Sequence, residues 1–279
     1  MSDKVVFLTG CASGLGLHLA QRFLDDGDRV VATDINLEGL KAQAQSRRWS
    51  PDKVSLHRLD VTSWTQWQQV MADTLAAWKK IDVLANVAGY LKPGRIHETA
   101  VEEIDRHLDI NVKGLILGSK LAAEQMVKQG RGHIINIASL AGVAPIPGIS
   151  LYSTSKFAVR GFTLALAQEL KPLGVNATVI CPDAIETPML TLQEDYEEAA
   201  LTFSGKHTLT VEQVADLILG KVLKEAPPEV LLPEWRGVLA KVGSAMPGLS
   251  FRLGSLLGKA GRSEQARRKA ARQSKTGSA

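Results

Sequence analysis

The sequence holds only two cysteines, Cys11 and Cys181, far apart and outside any CxxC or Cys/His cluster. That excludes a disulfide framework and offers no zinc site, so two reduced thiols in a cytoplasmic protein are expected and no metal is called for. Aromatic residues make up 5% of the chain and charged residues 22%. A large excess of one charge is also missing, because the net charge is only +4. That surplus sits at the end: from Lys259 onward seven Lys/Arg face one acid, leaving the body slightly negative. The basic balance belongs to the tail and does not point to nucleic acid. No uninterrupted apolar run is long enough to span a bilayer, and the start, MSDKVVFLTG, passes too quickly into a short apolar run for a signal peptide.

What the chain does have is size, apolar content and glycine: 279 residues, 45% hydrophobic, 24 glycines. Short β-branched runs recur at VVFLT (5–9), RVVAT (29–33), VSLHRLDV (54–61), IDVLANVA (81–88), HIINIAS (133–139), VNATVIC (175–181) and EVLLP (229–233). Segments of helical spacing lie between them, at 15–26, 37–46, 63–79, 101–129, 151–171 and 210–225. Strand–helix alternation with near-continuous apolar strands predicts an α/β doubly wound fold. It has a seven-stranded, mostly parallel sheet with helices on both faces. Residues 1–233 form the catalytic domain in this reading. Residues 234–279 form an extension of two short helices or turns and then a flexible basic tail.

TGCASGLG (9–16) follows the first strand and opens the first helix. Gly10, Gly14 and Gly16 permit a tight turn and close approach of a pyrophosphate, which the helix N-terminus attracts. Asp34 ends the second strand, where a carboxylate can bond both ribose hydroxyls and repel a 2′-phosphate; this favours NAD over NADP. Asp34 is equally suited to cap the helix beginning near Leu37.

Tyr152 and Lys156 are four residues apart on one helical face. An ammonium beside a phenol favours phenolate and brings tyrosine toward use as an acid/base at neutral pH. Ser139 ends a strand at the carboxyl edge, where open α/β sheets bind ligands, and its hydroxyl can hold a reacting oxygen. On spacing alone, an ordinary helix face explains the Tyr/Lys pair equally well.

With these motifs in order, residues 4–233 resemble the classical short-chain dehydrogenase/reductase family. TGxxxGxG is met by Thr9–Gly16, the acid after the third strand by Asp60–Val61, and NNAG by Asn86–Gly89 with Val87 as a departure. Asn111 in DINVKG, Ser139, Tyr152-STS-Lys156 and Pro182–Thr187 follow, with Asp183 where glycine is usual. The resemblance implies catalysis by Asn111, Ser139, Tyr152 and Lys156. Tyr152 is the acid/base, Lys156 also bonds the nicotinamide ribose, and Asn111 holds a relay water. It implies a cofactor cradle of Gly10, Ser13, Gly14, Leu15, Gly16, Asp34, Ile35, Asp60, Val61, Asn86, Ala88, Gly89, Tyr152, Lys156, Pro182, Ile185 and Thr187. The expected activity is interconversion of a secondary alcohol and a ketone with NAD. The same fold and pair also serve epimerases and dehydratases, or survive in a nucleotide-sensing or membrane-recruited scaffold.

Leu140, Val143, Pro145, Met189, Leu190 and Tyr196 are the candidate substrate residues, with Leu192 and Phe203 completing an apolar lid. They imply a bulky hydrophobic alcohol or ketone, lipid-, steroid- or aromatic-like. A homodimer or homotetramer, built on the helices around 101–129 and 151–171, is what the resemblance implies. In the extension, Val238, Val242, Met246, Leu249, Leu253, Leu256 and Leu257, with RRKAAR (267–272), suit either peripheral membrane contact or packing on a partner subunit or over the substrate mouth. The tail after Gly258 is expected to be dispensable for chemistry.

Overall fold

The computed structural model describes residues 3–205 and 208–276; the side chains of Leu249, Leu253, Leu256 and Leu257 lie outside the described residues. Seven strands form one sheet: β1 (Val5–Thr9), β2 (Arg29–Asp34), β3 (Val54–Arg58), β4 (Val83–Asn86), β5 (Gly132–Ile137), β6 (Val175–Pro182) and β7 (Glu229–Leu232). Their order is β3-β2-β1-β4-β5-β6-β7 and every pairing is parallel. Parallel strands need crossovers, and the helices supply them on both faces. Side chains alternate across the pleat, so the wholly buried β1 serves two cores. Val6 and Leu8 pack with α1 (Gly14–Asp25), α2 (Leu37–Ser46) and α8 (Val211–Leu217). Val5 and Phe7 pack with α3 (Trp64–Trp78), α5 (Leu115–Gln129) and α6 (Ser150–Leu170).

Local chemistry sets the helix ends. The Ser63 hydroxyl accepts from the Gln66 N–H at the start of α3, and Thr210 and Gln213 form a reciprocal capping box on α8. The predicted helix over 101–129 is interrupted. α4 (Val101–Leu108) joins α5 through one widened π turn, Asp109–Gly114, which contains Asn111. Such turns carry one residue more than the α pitch and re-aim the backbone locally.

The end of the chain departs from the sequence reading. α10 (Glu234–Ala245) is followed by α11 (Pro247–Thr276), a helix of 30 residues where a flexible tail was expected. Three of its cations are matched by acids of the segment after β6. Arg268 pairs with Glu186 and Glu194, Lys269 and Arg272 pair with Asp195, and Arg267 pairs with Glu264 one turn earlier. The RRKAAR cluster is therefore engaged within the chain. Among the described residues, no helix is long and apolar enough to cross a membrane.

Candidate active site

The carboxyl ends of β1, β2, β4, β5 and β6 converge on one cavity of about 2160 Å³. The glycine loop forms its floor. Gly10 and Gly14 have φ of 74° and 55°, a left-handed backbone that suits glycine. A Cβ on Gly16 would collide with the Gly10 carbonyl, so the loop closes only without side chains. Thr9 sets the loop against the neighbouring strand: its hydroxyl accepts from both the Val87 and Ala88 N–H groups, at 3.0 Å each. Ser13 stands at the N-cap of α1, yet its side chain makes no capping bond. The hydroxyl and the first helical N–H groups thus remain available to an anion.

Asp34 lines the cavity next to Ile35. Its carboxylate accepts from the Ala12 N–H and the Asn36 N–H, both at 2.9 Å, which fastens the glycine loop to β2. It is not the cap of α2; Asn36 is, accepting from Gly39 at 3.0 Å. Asp60 accepts from the Thr62 N–H and hydroxyl and also lines the cavity with Val61. Leu15, Ala88, Gly89, Pro182, Ile185 and Thr187 complete the cradle. A Cβ on Gly14 would lie 3.3 Å from Thr187 Cγ2, so the loops after β1 and β6 meet above the sheet. The glycines that leave no room for Cβ, the uncapped helix start and the carboxylate at the end of β2 together fit a dinucleotide.

Asn86 departs from its expected place. Its amide is turned into the interior, donating to Asn136 Oδ1 at 2.9 Å and Ser119 Oγ at 3.1 Å, and it does not line the cavity. A buried amide must satisfy its donors, and polar groups inside the sheet do so here.

Ser139, Tyr152 and Lys156 all face the cavity. Lys156 is buried, its Nζ 5.4 Å from the centre of the Tyr152 ring and donating to the Ile137 carbonyl at 2.8 Å. Ser139 Oγ accepts from the Ala141 N–H at 3.1 Å. Burial pushes the Tyr152 phenol up to about 12, with hydrogen bonding to Ser139 pulling the other way. Burial also brings Lys156 down to about 8. Desolvation of the phenol therefore outweighs the effect expected from the ammonium.

Asn111 is 1% exposed and does not line the cavity. Its amide clamps Tyr90, accepting from the N–H at 2.7 Å and donating to the carbonyl at 2.8 Å. It also donates to Ser155 Oγ at 3.0 Å, and Ser155 donates to the Tyr152 carbonyl at 2.7 Å. With its amide so engaged, the Asn111 side chain positions α6 and the loop after β4. Ser155, the second serine of the motif, is the link that sequence reasoning passed over.

The substrate residues divide. Leu140, Pro145, Met189 and Leu190 line the cavity; Val143 and Tyr196 do not. Val143 is buried in a cluster with Val159 and Cys181, and Tyr196 packs against a cluster of Leu91, Ala141, Ile149 and Ala199. Leu192 is turned outward at 43% exposure, and Phe203 is buried beneath the Arg268 guanidinium. The extension supplies a further wall, in line with the reading that it packs over the substrate mouth. Trp235, Arg236, Leu239 and Val242 of α10 line the cavity, with Arg236 Nε 2.8 Å from the Asp183 carboxylate.

The short chain dehydrogenase family model matches residues 4–198, and the chain belongs to this family. It is 37% identical over 226 residues to 2-(R)-hydroxypropyl-CoM dehydrogenase of Xanthobacter autotrophicus, covering 78% of this chain and 90% of that one. Among solved structures it resembles ElxO with NADP bound, with a TM-score of 0.74 and 26% identity over 82% of this chain and 96% of the other. It also resembles a 3-ketoacyl-(acyl-carrier-protein) reductase from Brucella melitensis complexed with NADH, with a TM-score of 0.72 and 25% identity over 82% and 95% of the two chains. Relatives of this kind are oxidoreductases that use nicotinamide cofactors.

Proposed function

We propose that the protein oxidises a secondary alcohol to a ketone with NAD, or runs the reverse, on a bulky and largely apolar substrate. The observation that carries the reading is the convergence of Ser139, Tyr152 and Lys156 on the cavity floored by the glycine loop. Bound NAD supplies the hydride acceptor. Ser139 holds the alcohol oxygen and Tyr152 takes its proton, while Lys156 favours the phenolate and holds the coenzyme's ribose. In ketone reduction Tyr152 returns the proton. Gly10, Ser13, Gly14, Leu15 and Gly16 receive the pyrophosphate; Asp34 and Ile35 border the adenosine ribose; Asp60 and Val61 border the adenine. Pro182, Ile185 and Thr187 border the carboxamide.

NAD is assigned over NADP on Asp34, whose carboxylate would oppose a 2′-phosphate. The apolar lining by Leu140, Met189, Leu190, Trp235 and Leu239 supports a bulky substrate. The protein is placed in the cytoplasm, and α4, α5 and α6 are assigned to self-association. An unbiased screen of secondary alcohols and ketones with both coenzymes tests the reading. Turnover of apolar alcohols with NAD supports it. Coenzyme binding without turnover of any alcohol or ketone refutes it and favours a sensor.

A further inference from the structure

The segment after β6 forms the lid of the cavity. α7 (Pro188–Gln193) and the 3-10 turn Glu197–Phe203 place Met189, Leu190, Gln193, Ala200 and Leu201 along its lining. Short helices joined by loops have little stability of their own. Something must hold them in place, and α11 lies across them.

The contacts are dense and directional. Gln265 is 6% exposed and its amide donates to two lid carbonyls, Gln193 at 2.9 Å and Tyr196 at 2.7 Å. Arg268 grips Glu186 with both terminal nitrogens, at 2.8 and 2.6 Å, and its Nε donates to Glu194 at 3.0 Å. Glu194 is itself 6% exposed, a buried acid that needs a cation. Arg272 adds the Thr191 carbonyl at 3.2 Å and Asp195 at 2.6 Å. Gly261 rests directly on the Ala200 carbonyl, where any Cβ would collide. Along its length α11 also meets the cavity rim at Gly258, Lys259 and Arg262.

We propose that α11 is a strap that fixes the substrate lid in its closed position, with Arg268 as the positioning residue. It is unlike a general stabilising helix, because its polar contacts fall on the lid rather than on the sheet. Arg268 touches neither the cavity nor the catalytic groups. It acts through Glu186, directly before Thr187, and through Glu194, directly after α7. The planar guanidinium holds Glu186 in a two-nitrogen fork while its Nε reaches Glu194, a geometry that the single nitrogen of an ammonium does not reproduce. The substrate chemistry implied is one that gains from a fixed apolar wall, so the inference rests on the alcohol-dehydrogenase reading for its catalytic consequence. Its structural consequence does not depend on that reading. It also reverses the expectation that the tail is dispensable.

The test uses the full chain and Arg268→Ala, with Arg268→Lys as the conservative variant. Hydrogen exchange is followed at the lid amides 187–203 and at β1, β4 and β5. With 1-phenylethanol as the probe alcohol, KM and kcat are measured at saturating NAD. Arg268→Ala is expected to speed lid exchange roughly tenfold and leave the strands unchanged, as local opening predicts. KM for 1-phenylethanol is expected to rise by about tenfold with kcat within about twofold, because loss of ground-state fit falls on KM. Arg268→Lys is expected to recover part of both effects. Unchanged lid exchange in Arg268→Ala overturns the proposal, as does faster exchange spread equally over the sheet. The exchange arm decides the strap even where 1-phenylethanol is not turned over; such a lack of turnover counts against the alcohol reading alone.

Discussion

Arg236 of α10 donates to the Asp183 carboxylate at 2.8 Å, and both side chains border the cavity beside the end of β6. Family members usually carry glycine at position 183. Here the acid and the extension belong together, since the cation that neutralises Asp183 comes from residues beyond β7. Burial holds the Asp183 carboxyl above its ordinary range even with Arg236 beside it. The pair is thus costly to form and costlier to break. Asp183→Ala alone is expected to lower stability by about 1–3 kcal/mol, because it leaves Arg236 half-buried without its partner. Asp183→Ala combined with Arg236→Leu is expected to restore most of that loss. Denaturant titration of both variants and the parent measures it. Equal destabilisation by the single and double variants would show that the pair is not coupled.

Asp34 offers a cleaner test as asparagine than as alanine. Asp34→Asn keeps one of the two oxygens that accept from the Ala12 and Asn36 N–H groups, where alanine keeps neither, and removes the charge that opposes a 2′-phosphate. The ratio of kcat/KM for NAD over NADP is expected to fall by about tenfold, the scale of one lost charge–charge repulsion of about 1.4 kcal/mol. An unchanged ratio would remove Asp34 from coenzyme selection.

His133 on β5 sets a pH dependence of stability. Its Nε2 is 2.8 Å from Thr178 Oγ1, and Thr178 donates its own proton to the Pro227 carbonyl at 2.6 Å. The ring nitrogen is therefore the donor. Burial lowers His133 from 6.5 to about 4. Between those values the unfolded chain binds a proton that the folded chain refuses, so stability falls as pH drops through that window. The full effect is about 3 kcal/mol. His133→Gln is expected to flatten this part of the stability–pH curve; a curve with the parent's slope would mean the acid response arises elsewhere.

Tyr152 is expected to stay protonated in the ligand-free protein well above its ordinary value of 10, because burial raises it to about 12. Ultraviolet titration of tyrosinate, with Tyr152→Phe subtracted, checks this. Adding NAD should lower the transition, since a positive ring nearby favours phenolate. A Tyr152 phenolate at neutral pH without coenzyme would contradict the dominance of burial.

Much of this was legible in the chain. The parallel sheet follows from apolar strands such as Val5–Thr9, whose alternate side chains serve both cores. The glycine loop and the Tyr152–Lys156 spacing located the cavity because both depend on local backbone geometry. What escaped notice depends on distance in sequence. The acids between Glu186 and Asp195 and the cations between Arg267 and Arg272 are separated by roughly 75 residues, and nothing local declares that they meet. The tail looked flexible because its polar residues have no apolar face; its partners are charges rather than a core. Asp183 was the visible clue, since an acid in glycine's place needs a counter-ion, and Arg236 is the one that arrives. Asn86 and Asn111 show the converse: the motif fixes their positions, but only packing reveals that their amides face inward.

The proposed function requires that Tyr152 move the proton while coenzyme held over the glycine loop exchanges the hydride. Appearance of reduced coenzyme, followed by absorbance with NAD and an alcohol turned over by the parent, tests it most directly in Tyr152→Phe. The expected result is a fall in kcat of about 10²–10⁴-fold with coenzyme binding retained, the usual scale for losing a general acid/base. A variant that keeps the parent's rate would contradict it.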